Sequence, residues 1–307
     1  MLMNLHKDKD VFEQYLAATA DYFGIANTGV VEKDYYVSLF LQRIANKQPD
    51  VIFKGGTSLS KCYRIIRRFS EDIDLSVDTE APKLTERQRK RLMHDIFSIV
   101  DEAGFIIENL DHINSSKDLN RYVINYMPED YIGYLNRYLI VETSVFIKSF
   151  PSELMSATSL VYDFLLLNNA LDEVDKYGLQ PFKVKVQAIA RTFIDKVFAI
   201  ADYYISGNLE TRSRHIYDLH KLYQTITFDR TFSIMVDEVR KVRKPHRVCF
   251  SAQEGVDLQE VLRNIVNEDT FKSDYNKITQ SLLFEDVPYA DAIVTLDSII
   301  SDGFFAL

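Results

Sequence analysis

Two aspartates set two residues apart, Asp72 and Asp74, are the groups in this chain best suited to chemistry. They stand in Ser70-Glu71-Asp72-Ile73-Asp74-Leu75, where polar and apolar residues alternate. Alternation of that kind predicts a half-buried strand. Side chains two apart on a strand share a face, so both carboxylates point one way while Ile73 and Leu75 point into a core. Paired carboxylates suit Mg²⁺ (or Mn²⁺), which takes oxygen ligands and keeps positions for water and substrate phosphates. Two such ions about 4 Å apart activate an attacking oxygen and neutralise a leaving pyrophosphate. A third carboxylate from a neighbouring strand completes such a set. Glu142, in the middle of Ile140-Val141-Glu142-Thr143, is the candidate ligand. The bland alternative is that an Asp-x-Asp pair is only a solvated strand edge.

The elements that must position these groups are legible around them. Val51-Ile52-Phe53 reads as a short buried strand that ends at Gly55-Gly56. Thr57 or Ser58 then caps a helix whose apolar residues Leu59, Cys62, Tyr63 and Ile66 fall at helical spacing. Glycines let the backbone approach a ligand closely, and free N–H groups at a helix start attract phosphate. Gly55, Gly56 and Thr57 are therefore candidate nucleotide-binding residues. Alone, Gly-Gly is more often just a turn; the order strand, Gly-Gly, helix, Ser-x-Asp-x-Asp is much rarer.

Elsewhere the periodicity predicts helices over 8–23, 30–45 and 85–103, and strands over 105–109, 121–127, 138–147 and 181–186. From Gln187 onward almost everything reads as helix. The fold class is α+β, with a mixed sheet in the first half and a mainly helical second half. We divide the chain into a domain over 1–150 and a helical domain over 151–307, with the change of character spread over 150–185. Hydrophobic residues make up 47%, enough for a sizeable core. No apolar run approaches the ~20 residues of a membrane span, and Cys62 and Cys249 define no disulfide framework. These features predict a cytoplasmic protein. A net charge of −9 excludes a protein that coats nucleic acid with a uniformly basic surface, so any RNA contact needs a local patch.

In these residues the chain resembles the AbiEii-type nucleotidyltransferase toxins (AbiEii/AbiGii) of type IV toxin–antitoxin and phage-abortive systems, to which the MenT toxins are related. Val31-Glu32-Lys33-Asp34-Tyr35-Tyr36 resembles the family's early helix. Phe53 to Leu59 and Arg68 to Leu75 resemble its Gly-Gly-Thr and Ser-x-Asp-x-Asp signature. Arg191 to Lys196 and Arg214 to Leu219 resemble its helical Lys motif and its Arg-x-x-Tyr-Asp-Leu motif. The resemblance implies a polymerase-β-like nucleotidyltransferase domain and transfer of a nucleotide from an NTP with Mg²⁺. For the MenT branch the acceptor is the 3′ end of tRNA. A cognate antitoxin is a further expected partner. The stretch between the glycines and Asp72 is longer than in the wider superfamily, which predicts a lengthened helix.

The resemblance also weighs the remaining polar candidates. Lys196 lies between Phe193 and Ile200 on one helix face, and either snorkels along the apolar stripe or holds the triphosphate. Asp218 is either one half of an i, i+4 pair with Arg214 or the group that orients Lys196. In each case the family motif favours the functional role, as a catalytic and, for Lys196, nucleotide-binding residue. Ser70 is either a turn residue or, as part of the signature, a neighbour of the phosphates. Asp195 reads as a surface partner of Arg191. Arg240 to Arg247 holds five Lys/Arg in eight residues, either a solvated helix end or a patch for RNA phosphates. Besides transfer to RNA, the same residues admit transfer to a protein hydroxyl, or a nucleotide-binding module without transfer.

Overall fold

A computed structural model describes residues 4–70, 72–78, 84–126, 138–145 and 147–306. The backbone separates into two compact units, each described by itself. The first comprises Met1–Cys62 and Ser70–Val186, and the second Tyr63–Phe69 and Gln187–Leu307. The main division falls between Val186 and Gln187.

The first unit opens with helices α1 (Lys9–Phe23) and α2 (Thr28–Lys47). Strand β1 (Val51–Lys54) leads into helix α3 (Gly55–Lys61), and β2 (Asp72–Val77) follows. Helix α4 (Glu86–Ala103) starts on a capping box in which Thr85 and Gln88 satisfy each other's main-chain N–H. Then come β3 (Ile106–Ile107), β4 (Leu119–Asn125), β5 (Tyr138–Ser144) and β6 (Ser152–Ala157). Helices α5 (Leu160–Leu167) and α6 (Leu171–Tyr177) precede β7 (Phe182–Gln187). The strands form one sheet in the order β3-β4-β5-β2-β1-β7-β6. It is mixed: β2 runs antiparallel to β1 and parallel to β5, and β7 runs parallel to β1. The α+β class expected from the sequence is therefore present.

Burial follows the alternation. Ile73, Leu75 and Val141 are fully buried, while Asp72, Asp74 and Glu142 on the other face are half-buried. Each such apolar side chain contributes roughly 1.5–3 kcal/mol by leaving water. That burial fixes which face β2 presents, because a slip of one residue would exchange carboxylates for isoleucine and leucine. Strand β6 was not anticipated. Its sequence Ser-Glu-Leu-Met-Ser-Ala alternates poorly and lies mostly exposed at the sheet edge. Of the strands expected over 121–127 and 138–147, Met127 and Phe146 lie outside the described residues.

In the second unit, α7 (Ile189–Ser206) packs on α8 (Arg214–Tyr223), α9 (Arg230–Arg243) and α10 (Leu258–Asn267), and the helix Tyr289–Asp302 packs on α8 and α10. Phe193, Phe198, Phe232 and Phe305 meet edge-on or tilted at its core.

The expected long helix after the glycines is corrected. Helix α3 has seven residues and starts at Gly55, so Thr57 and Ser58 lie inside it and cap nothing. It stops because the next segment is claimed by the second unit. Arg64 turns into the left-handed region (φ 56°). The Tyr63 hydroxyl donates to the Gln187 carbonyl at 2.9 Å, and Phe69 N–H to the Leu282 carbonyl at 2.8 Å. Phe284 N–H donates back to the Arg67 carbonyl at 2.8 Å, and Arg68 forms an antiparallel bridge with Leu283. Tyr63 and Ile66 belong to that strap and not to a helical stripe; Cys62 is core, as its spacing suggests.

Candidate active site

The register of the sheet brings the predicted metal ligands onto adjacent positions. Asp74 is the Cα partner of Glu142 across the parallel β2–β5 pair. Asp72, two residues earlier on β2, shares their face. The row continues in both directions, since Lys54 is the partner of Asp74 and Arg121 the partner of Glu142. One line across four strands therefore reads Lys54, Asp74, Glu142, Arg121. The donor set is all carboxylate oxygen, which suits a hard divalent cation. Among the described residues no group of three or more His, Cys, Asp and Glu is drawn into a metal-holding cluster. The Arg121 guanidinium lies 3.6 Å from the Glu142 carboxylate.

Gly55 meets Asp74 directly. A Cβ built on Gly55 would lie 1.9 Å from Asp74 Oδ2, and its φ of +78° is one that L side chains rarely adopt. The glycine is thus required twice, by the turn and by the carboxylate seated on it. Thr57, only 3% exposed, donates its hydroxyl proton to the Asp72 carbonyl at 2.5 Å. With that proton committed, the 2.9 Å contact between Thr57 and Ser70 has Ser70 as donor. Thr57 and Ser70 therefore bracket the start of β2 against α3, which holds Asp72 in place. Gly56 is the second residue of α3, in its first turn.

The early Glu-Lys-Asp-Tyr motif also has a mechanical part. Asp34 accepts from Lys61 at 2.6 Å and from Leu160 N–H at 2.7 Å, tying the end of α3 to the start of α5. Lys61 donates in addition to Ser38 and to the Thr158 carbonyl.

In the second unit, Lys196 and Asp218 meet. Lys196 Nζ donates to Asp218 Oδ2 at 2.6 Å, and both are buried. The second cation on Asp218, which the alternative reading assigned to Arg214, comes from the strap. Arg68 forks onto the carboxylate, Nε to Oδ1 at 2.7 Å and Nη2 to Oδ2 at 2.8 Å. Burial alone would raise the Asp218 carboxyl, but Arg68 and Lys196 outweigh it and hold it well below the usual carboxylate range. His215, half-buried beside this pair, is held well below the ordinary imidazole range by desolvation of its ring and by the nearby Lys196. Tyr217 accepts from Arg67 N–H at 2.9 Å and donates to Glu285. Sequence reasoning left Arg68 without a role. Its only signal was its place before Ser-x-Asp-x-Asp, and its partner lies 150 residues away.

One charge reading is overturned and another is narrowed. Arg191 and Asp195 do pair, at 3.0 Å, but Arg191 is fully buried and is no surface residue. Asp195 also faces Gln187 and Arg243. Within the basic segment, Arg243 is buried and bound to Asp202 at 2.6 Å, and Arg240 donates to the Phe305 and Ala306 carbonyls. Lys241, Lys244 and Arg247 remain exposed.

The profile of the family described as "Nucleotidyl transferase AbiEii toxin, Type IV TA system" matches residues 39–296 of this chain. A solved structure, JHP933 from Helicobacter pylori, is 14% identical over 89% of this chain and 90% of its own, with a TM-score of 0.46. No curated protein matches this chain. No helix among the described residues is long and apolar enough to cross a membrane. With the family match spanning most of the sequence, the chain belongs to the AbiEii nucleotidyl transferase toxin family of type IV toxin–antitoxin systems and is a nucleotidyltransferase.

Proposed function

We propose that this nucleotidyltransferase moves NMP from an NTP to the 3′ hydroxyl of an RNA, of which tRNA is the acceptor favoured by the resemblance to the MenT branch. The observation that carries the reading is the set of carboxylates Asp72, Asp74 and Glu142, placed on one sheet face beside the glycine turn. These three would hold Mg²⁺ or Mn²⁺, which when bound lowers the pKa of an acceptor hydroxyl and screens phosphate charge. Gly55 and Gly56 keep the backbone bare beside Asp74, and Thr57 and Ser70 hold the start of the strand. Lys196, oriented by Asp218, is assigned to the triphosphate. The natural setting is the cytoplasm, with a cognate antitoxin restraining the enzyme. Incubating the protein with each radiolabelled NTP, total RNA and total protein tests the transfer. Label at RNA 3′ ends is the expected result; label in protein, or in neither, overturns the RNA acceptor.

The exposed Lys244 and Arg247 carry a second expectation. An acidic protein that binds RNA must do so through local cations, and each phosphate contact on a single strand contributes a salt slope of roughly 0.7. Replacing both with Ala is expected to weaken RNA binding and to flatten the slope of log affinity against log salt by roughly 1.4, with NTP binding unchanged. Arg243 is left intact because its guanidinium serves the buried pair with Asp202. Equal affinities and parallel slopes for the two proteins would show an ordinary charged surface.

A further inference from the structure

We propose that Arg121 competes with the divalent cation for Glu142 and thereby sets the metal affinity of the carboxylate face. This rests on the metal-dependent reading above. Four charged residues occupy one cross-strand row, with the two carboxylates in the middle and a cation at each end. Like charges in register-paired positions repel, and the structure shows how each carboxylate is turned. Asp74 Oδ2 lies 1.9 Å from the place a Cβ on Gly55 would take, so that carboxylate sits over the glycine turn at the end of β1. Glu142 leans the opposite way, with Oε1 3.6 Å from Arg121 Nη1 on β4. A cation held by both strands must draw Glu142 back toward Asp74, and so away from the guanidinium. Arg121 is well exposed, at 59%, and presents a guanidinium cation to the carboxylate. Its contact with Glu142 is worth little by itself. Its unit charge also repels a doubly charged ion bound at the neighbouring position. Both effects act in the same direction, against the metal. The exposed side chain makes the residue removable without disturbing the core.

Mn²⁺ binding to the full chain, measured by titration calorimetry and by the resonance signal of free Mn²⁺, tests this without any turnover. Arg121→Gln is expected to bind Mn²⁺ roughly two- to fivefold more tightly than the unaltered protein. Glu142→Gln is expected to bind more weakly. In the Glu142→Gln background, adding Arg121→Gln should recover less than it does in the unaltered protein, because the competing contact is already gone. Unchanged or weaker Mn²⁺ binding by Arg121→Gln, or an equal gain in both backgrounds, overturns the proposal. Asp72→Asn separates the two levels. If it binds Mn²⁺ as tightly as the unaltered protein, the carboxylate face is not the metal site and the reading beneath the proposal fails. If it loses Mn²⁺ while Arg121→Gln changes nothing, only the role of Arg121 fails.

Discussion

Asp72→Asn and Asp74→Asn should each reduce nucleotide transfer by at least about a thousandfold while leaving the fold intact. A divalent ion supplies several kcal/mol of charge stabilisation during phosphoryl chemistry, and each 1.4 kcal/mol is tenfold in rate. The amide keeps the shape of the carboxylate and removes the charge that would hold the ion. Folding should be indifferent, because both side chains are half-buried on the polar face and the core contacts of β2 belong to Ile73 and Leu75. Relief of the repulsion between Asp74 and its register partner Glu142 even favours the amide slightly. Label incorporated per minute, with a thermal melt of each variant, decides the matter. A chelator should silence the unaltered protein to the same extent. A near-normal rate for Asp72→Asn, at an unchanged melting temperature, would remove these residues from the chemistry.

Asp218→Asn should instead damage the fold, by about 3–5 kcal/mol. The aspartate is fully buried and accepts from Arg68 twice and from Lys196 once. Its amide would leave two cations out of water with no anion between them. Denaturant unfolding measures the loss. A suitable control is the exposed pair Lys47–Glu102, whose disruption should cost under about 1 kcal/mol. The pH dependence follows from the direction of the Asp218 shift. Its folded carboxyl lies below the ordinary value, so its contribution is complete above about pH 4, the unfolded value, and is lost as the pH falls further toward the folded one. The unaltered protein should therefore lose stability on acidification below about pH 4 more steeply than Asp218→Asn does. Coincident acid profiles would show that the network contributes nothing to stability.

The strand with its two aspartates was readable because alternation is a local signal, and Ile73 and Leu75 honour it. The glycine turn was readable for the same reason. That Glu142 stands beside Asp74, and not one register away, is a fact of pairing across the sheet that no local pattern states. The charged residues were the hardest to read. Arg191 and Arg243 looked like surface cations and are buried partners of aspartates. Arg68 looked like a flank of the signature and is the main cation on Asp218. Charge on a helix face usually means solvent, and the exceptions depend on partners far along the chain. Helix α3 failed in the same manner: Cys62, Tyr63 and Ile66 have helical spacing, but hydrogen bonds to Gln187 and Leu282 outweigh it.

The excursion of Tyr63–Phe69 into the second unit bears on how such a chain can be inherited. A crossover near residue 187 would not exchange one unit for another. The incoming helices would arrive without the seven-residue strap that belongs to them, and their buried aspartate would meet whatever arginine the resident strap supplied. The outgoing helices would leave Arg68 behind. Recombination between relatives at that boundary therefore preserves the ion pair only where both parents carry the same strap, so the two halves should travel through lineages together.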